Sequence, residues 1–383
     1  MREQGKLSFD DPLVKHVPEF GEGHGGAKDG ITLEHLLTHT HSCNGAPWLH
    51  PVYHGWEACV KSFCEKAPLP PGPGKCACYC NSDGFATLAM VVQRLSGQSF
   101  QNFADEHLLK PLGLEGRIVL GGLDEEQYRK VEDSIAECVF DPDPNADLGY
   151  SIVAGGFGSC GMRMSAVDFA VLGECLLRGG APIFKDPKSV EMLVTKVRSG
   201  MYDMVFEAPV EWGRGFACDW WSMRGVVSAL SNGHGGIGSS MLVLDPPVGI
   251  STTICLTGVE PDKSRHFWRI ARILRAVWLD VGATPADRPI NWPLKSDKFR
   301  YGPNYKGLSA EALREEQRSQ IAAAAANEDE EHEAEIKCNA MDAEFAAWMD
   351  EQGITLHGGG DPNIGGRAVC VAATEQAERC RDH

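Results

Sequence analysis

Two short clusters hold side chains of the types that can exchange protons and hydrogen bonds with a substrate. Tyr79-Cys80-Asn81 sets a phenol two residues from a carboxamide, and His234-Gly235-Gly236 sets an imidazole beside two glycines. Taken singly, neither decides anything. A lone tyrosine is as well explained by a buried ring with a hydrogen-bonded hydroxyl, and His-Gly-Gly by a turn with a surface histidine. Two further segments stand out by composition: Gly-Lys-Leu-Ser-Phe-Asp-Asp-Pro at 5–12, followed by Pro18-Glu19, and Ile-Thr-Leu-Glu-His-Leu-Leu-Thr-His-Thr at 31–40. The latter contains His35 and His39, with His41 beyond it, a spacing that would let two imidazoles share one helix face toward zinc. An Asp-His partner for such a site is missing, because Ser42-Cys43-Asn44-Gly45 follows. Cys76, Cys78 and Cys80 would share one face of a strand, yet zinc pairs are usually spaced C-x2-C or wider. No metal and no cofactor is expected.

The elements around these clusters can be read from periodicity. Thr32 caps a short helix running through His39. Phe85, Leu88, Ala89, Val92 and Leu95 recur at helical spacing directly after Asn81, and Gly97 ends that helix. Ser99 caps the next helix, which is expected to stop before Lys110-Pro111-Leu112-Gly113. Ser165 and Asp168 form a capping box ahead of a helix ended by Gly179-Gly180. Beyond residue 205 the period shortens to that of strands, at 225–231, 241–245 and 249–256, the last two joined as a hairpin through Pro246-Pro247-Val248. His234 would thus stand just after a strand. A helix with Phe267, Ile270, Ala271, Leu274 and Trp278 on one face follows. A mostly helical middle, then antiparallel strands closed by a helix, is an α+β order.

The domain division expected is 1–285, a linker at 286–308, and an extension at 309–383. That extension carries an alanine run at 322–326, the acidic block Glu328-Asp329-Glu330-Glu331, and a Gly-rich end at 358–360 expected to lack regular structure. With 383 residues, 43% of them hydrophobic, the chain can bury a sizeable core. A net charge of -17 excludes the Lys/Arg excess that nucleic acid or anionic membranes require. No apolar run reaches transmembrane length, and the first residues have no signal-peptide core. The 14 scattered cysteines read as thiols in a reducing compartment. The compartment is left open, with a cytoplasmic location the default given no signal peptide or transmembrane segment in these residues. Any protein partner of the acidic extension is unknown.

In order and spacing, these segments resemble the serine β-lactamase-related family of class C β-lactamases, DD-peptidases and carboxylesterases. The resemblance runs from residue 1 to about 280. Tyr79 and Asn81 match a Tyr-x-Asn element, Pro111-Leu112-Gly113-Leu114 a Pro-Leu-Gly-Met step, Gly155-Gly156-Phe157-Gly158 a glycine-rich stretch, and His234-Gly235-Gly236 a strand triad. It implies a β-lactamase/transpeptidase-like fold and acyl transfer on a small-molecule ester or amide. A serine, activated by a lysine in Ser-x-x-Lys, would be the nucleophile. Tyr79 would shuttle the proton, Asn81 would hold the substrate amide or carbonyl, and His234 would offer a hydrogen-bonding edge. Gly235, Gly236 and the Ile237 N–H would line the oxyanion side.

The pattern breaks at the nucleophile, since Ser-x-x-Lys occurs nowhere in the chain. Ser62 and Lys66 are one residue too far apart, and Ser82, Ser239 and Ser240 have no lysine at helical spacing. In the resemblance, the pair lies about one helix upstream of Gly5, so Met1 would fall inside the helix that carries it. The strands that precede that helix would be missing too, leaving an unpaired sheet edge and an exposed apolar face. Two accounts compete: an incomplete chain of an active hydrolase, or a pseudoenzyme or binding protein. Tyr79, Asn81 and His234 standing in place together favour the first.

Overall fold

In the computed structural model, the described residues are 1–43, 56–68, 72–79, 83–121, 125–131, 161–203, 208–218, 231–236, 240–246, 249–256, seven positions between 270 and 281, and two strands near the C-terminus. Of the site residues expected from sequence, Asn81 and Ile237 lie outside them, as do Cys80, the glycine-rich stretch at 155–158 and most of the strand expected at 225–231.

The helices are α1 (Leu13–His16), α2 (Leu33–Leu37), α3 (Trp56–Glu65), α4 (Asp83–Ser96), α5 (Phe100–Ala104), α6 (Glu125–Val131), α7 (Ala166–Leu177) and α8 (Lys188–Val194). Their ends follow local chemistry. Thr32 accepts the His35 N–H through Oγ1, while His35 Nδ1 accepts the Thr32 N–H, a reciprocal cap of about 1 kcal/mol. Ser99 and Ser165 cap α5 and α7 through the N–H groups of Asn102 and Asp168. α4 ends at Gly97, in the left-handed region at φ 71. Pro111 does not stop the chain as expected. After α5 the helix widens into a π turn, Asp105–Leu109, then tightens into a 3-10 turn, Lys110–Leu112, where proline sits in the first turn and needs no N–H partner.

Leu13, Phe20, Ile31, Leu33 and Leu36 form one core with Phe63 of α3 and Val91 of α4. A second core joins Leu176 of α7 and Val190 of α8 to Leu242 and Leu244 of the main sheet. Gly173 lets α7 approach that sheet, because a Cβ there would stand 2.1 Å from Ser251 Oγ and 2.7 Å from Leu242 Cδ1.

The main sheet has six strands in the order β3-β4-β5-β6-β8-β7, made of β3 (Ala217–Cys218), β4 (Asn232–Gly235), β5 (Ser240–Asp245), β6 (Ile250–Cys255), β7 (Thr355–Gly359) and β8 (Arg367–Ala372). A small separate pair joins β1 (Tyr202–Asp203) to β2 (Ala208–Pro209). The β5–β6 hairpin is as expected, in register from Ser240↔Cys255 to Asp245↔Ile250. Helical positions at Ile270, Ile273, Leu274 and Val277 are buried, in keeping with a closing helix.

Three expectations are corrected here. His234 and Gly235 lie on β4 itself, paired with Leu242 and Met241, and not just after a strand. The Gly-rich end is not without regular structure, since it supplies β7 and β8. The outer edge of β6 is therefore not bare: β8 runs parallel along it from Ile250↔Arg367 to Ile254↔Val371. The N–H and C=O groups of an edge strand are a template for any extended chain in reach, and the chain's own C-terminal strand takes that place. The other strand pairs of the sheet are antiparallel, as expected, and β6–β8 is its one parallel pair among the described residues.

Candidate active site

One hydrogen-bonded backbone mesh sets the site. The segment leading to Tyr79 runs beside the end of α2, where Gly74 N–H donates to the Thr40 carbonyl and Cys78 N–H to that of His39. On its other side, Ala77 bridges Asp203. Trp212 exchanges backbone hydrogen bonds with Arg198 and bridges Ala217, and Ala217 pairs with Gly233, the residue before His234. Residues far apart in sequence are thereby held within one wall.

At its centre Tyr79 Oη lies 3.3 Å from His234 Nε2. The rings around them interlock. His39 is 4.6 Å from Tyr79 and 4.8 Å, edge on, from Trp212, and Trp212 is 5.9 Å, edge on, from His234. Phe85 of α4 closes the far side, 5.4 Å from His39. Tyr79 also packs on the small core of Val210, Trp212 and Ala217. His39 and Ser42 both adopt positive φ, at 57 and 61, a backbone state that costs a non-glycine residue about 1–3 kcal/mol and must be held by its surroundings.

Burial lowers the pKa of His234 to about 4, opposed by a hydrogen bond to the backbone at Gly235. The ring is therefore neutral at neutral pH, and Nε2 can accept the Tyr79 O–H. His41 is lowered to about 3, by burial first and by the positive groups at His35 and Lys66 second. At the head of α4, Asp83 is ion-paired with Lys66. A Cβ at Gly236 would meet Ser240 Oγ at 2.6 Å and require that hydroxyl to turn away, and the Gly236 N–H donates to the Ser240 carbonyl at 2.7 Å.

The structure thus brings together Tyr79, His234, Gly235 and Gly236 from the sequence-derived set. His35 is occupied as the reciprocal cap of α2, and His41 Nδ1 accepts the Cys43 N–H. Among the described residues, no group of three or more His, Cys, Asp or Glu side chains is placed to hold a metal ion. Sequence reasoning missed Trp212 and the wall role of His39, and it missed Arg198 and Asp203 altogether. Trp212-Gly213 could have drawn notice as a bulky aromatic before a glycine, whereas Arg198 and Asp203 carry no periodic or motif signal.

A helical region packed against this sheet is the arrangement of a β-lactamase/transpeptidase-like fold. The sequence model of the Beta-lactamase family matches residues 1–276, and the chain belongs to that family. Among solved structures it is similar to a penicillin-binding protein homologue from Caulobacter crescentus. That likeness has a TM-score of 0.55 and 20% identity, covering 72% of this chain and 78% of that one. It is also similar to EstA from Arthrobacter nitroguajacolicus Rue61a, with a TM-score of 0.54, 20% identity, and coverage of 72% and 80%. Both likenesses speak to the fold. A Bacillus subtilis (strain 168) protein named as penicillin-binding protein PbpX is 27% identical over 213 residues, covering 54% of this chain and 48% of its own length. The chain spans about half the length, or less, of the curated relatives it matches. Among the described residues, no helix is long and apolar enough to cross a membrane.

Proposed function

We propose that residues 1–276 form the proton-transfer and substrate-edge side of a serine-hydrolase-type acyl-transfer site for a small ester or amide. The observation that carries this reading is the 3.3 Å contact between Tyr79 Oη and His234 Nε2, made by residues 155 positions apart. Tyr79 would pass the proton between nucleophile and leaving group. Asn81 would hold the substrate carbonyl or amide, and Gly235, Gly236 and the Ile237 N–H would face the oxygen on which charge develops. A neutral imidazole at His234 offers a hydrogen bond but no counter-charge. That favours an uncharged ester or amide over a substrate carrying a carboxylate at this edge.

No Ser-x-x-Lys pair occurs in the 383 residues. We therefore expect this polypeptide by itself to turn over neither nitrocefin nor p-nitrophenyl acetate. Hydrolysis of either that is abolished by Tyr79→Phe would overturn this expectation, because it would require a nucleophile elsewhere in the chain. The absent motif also favours a second reading, a pseudoenzyme that binds an ester or amide without cleaving it. Saturable binding of such a compound without turnover, lost on Tyr79→Phe, would select that reading.

A further inference from the structure

The candidate site rests on a buried ion pair that its chemistry does not use. Arg198 is 3% exposed and Asp203 is fully buried, and Arg198 Nη1 stands 3.1 Å from Asp203 Oδ2. Asp203 accepts the backbone N–H of Tyr79 through Oδ1 at 3.1 Å. Arg198 donates from Nη1 to the carbonyl of Thr38, the residue before His39, at 3.0 Å. Its Nε donates to the carbonyl of Val210, two residues before Trp212, at 3.1 Å, and the guanidinium lies 5.2 Å from the Trp212 ring centroid. One ion pair thus ties the backbones of all three segments whose rings, His39, Tyr79 and Trp212, surround the Tyr79–His234 contact.

A buried ion pair is a poor way to gain stability. Desolvating two charges consumes most of their attraction, and apolar side chains of similar volume are often as stable or more so. What such a pair supplies is direction. A guanidinium has donors at fixed angles in one plane, so it sets the relative placement of several carbonyls where packing alone tolerates sliding. Here the ion pair sets where the Tyr79 backbone sits, and the rings of His39 and Trp212 set which way the phenol points.

We propose that Arg198 and Asp203 are positioning residues that hold the Tyr79 hydroxyl on His234 by fastening the Tyr79, His39 and Trp212 segments to one another. This deepens the acyl-transfer reading and rests on it for its purpose, but its test does not need turnover.

The test follows the His234 ring by NMR across a pH titration, together with thermal stability, in the unchanged full chain and two variants. In the double variant Arg198→Met/Asp203→Leu, the apolar pair replaces the charges. The expected result is a Tm close to that of the unchanged protein but a His234 midpoint raised by about one pH unit, because the phenol leaves Nε2 and water enters. The second variant, Asp203→Asn, keeps an acceptor for the Tyr79 N–H and changes little volume. The expected shift is in the same direction but smaller, and it decides the matter if the double variant does not fold. A folded variant with an unchanged His234 midpoint would show the pair to be structural only and overturn the proposal. So would fast hydrogen exchange of the Tyr79 amide in the unchanged protein. Failure of the hydrolase reading would look different, as a shifted His234 in the variants beside a chain that neither binds nor cleaves esters.

Discussion

At the scale of single residues, His41 and His234 make the fold sensitive to mild acid. Their folded pKa values, about 3 and about 4, lie below the ordinary 6.5. As pH falls from 7 toward 5, the unfolded chain takes up protons that these folded rings refuse, so stability falls. The loss at pH 5 is about 2 kcal/mol for His41. It is smaller for His234, which keeps partial exposure to solvent. Carboxylates held low, such as Asp11 at about 2 beside Lys15, lose their contribution from about their ordinary pKa downward, so most of that loss falls below this window. Urea unfolding at pH 7 and pH 5 should show the drop, and His41→Phe should flatten it whatever its effect on absolute stability. An unchanged slope in that variant would remove His41 from the account. Tyr79 and His234 were legible in the sequence as parts of motifs. Arg198 and Asp203 were not, because a buried charge reads in sequence like an exposed one until its partners are known.

At the scale of elements, the helix ends were legible because they are local. Thr32, Ser99 and Ser165 each find their partner within three residues, and Gly97 needs only its own freedom at positive φ. The approach of α7 to the sheet is not local. Gly173 looks like a helix-weakening residue, yet it faces Ser251 Oγ and Leu242 across the layer. Gly173→Ala should raise intrinsic helix propensity and still destabilise the protein, by about 1–3 kcal/mol, since the added methyl overlaps two neighbours. The urea midpoint should drop with m unchanged. A variant as stable as the parent, or more so, would mean that α7 can slide on the sheet without cost. The placing of His234 belongs to this scale too. A four-residue strand containing two glycines has little β propensity, and β4 is held by its neighbours β3 and β5.

At the scale of the molecule, the sheet is closed by strands from the far end of the chain. β8 lies parallel on β6, and β7 lies outside it. Removing residues 355–383 should bare the β6 edge and lead to self-association through strand pairing, seen by light scattering as growth in mass with concentration. A truncated chain that stays monomeric with an unchanged melt would show that β8 adds nothing to the sheet. The expected boundary at 285 bears on the same point. The Beta-lactamase match ends at residue 276, yet two strands of the main sheet lie within 309–383. We propose that the extension divides into an acidic part, whose partner is open, and a strand pair that belongs with the sheet.

The amino-acid order alone determined the α+β class, the family, the capped helices, the β5–β6 hairpin and the candidate pair of motifs around Tyr79 and His234. Periodicity, caps and short motifs are written in neighbouring residues, and a chain read from one end displays them. Folding in three dimensions determined that the two motifs meet at 3.3 Å, that His39 and Trp212 wall them in, that Arg198 and Asp203 fasten them, and that β8 covers the edge of β6. These facts join residues tens to hundreds of positions apart through backbone pairing and side-chain geometry, which leave no period or spacing in the sequence to be read.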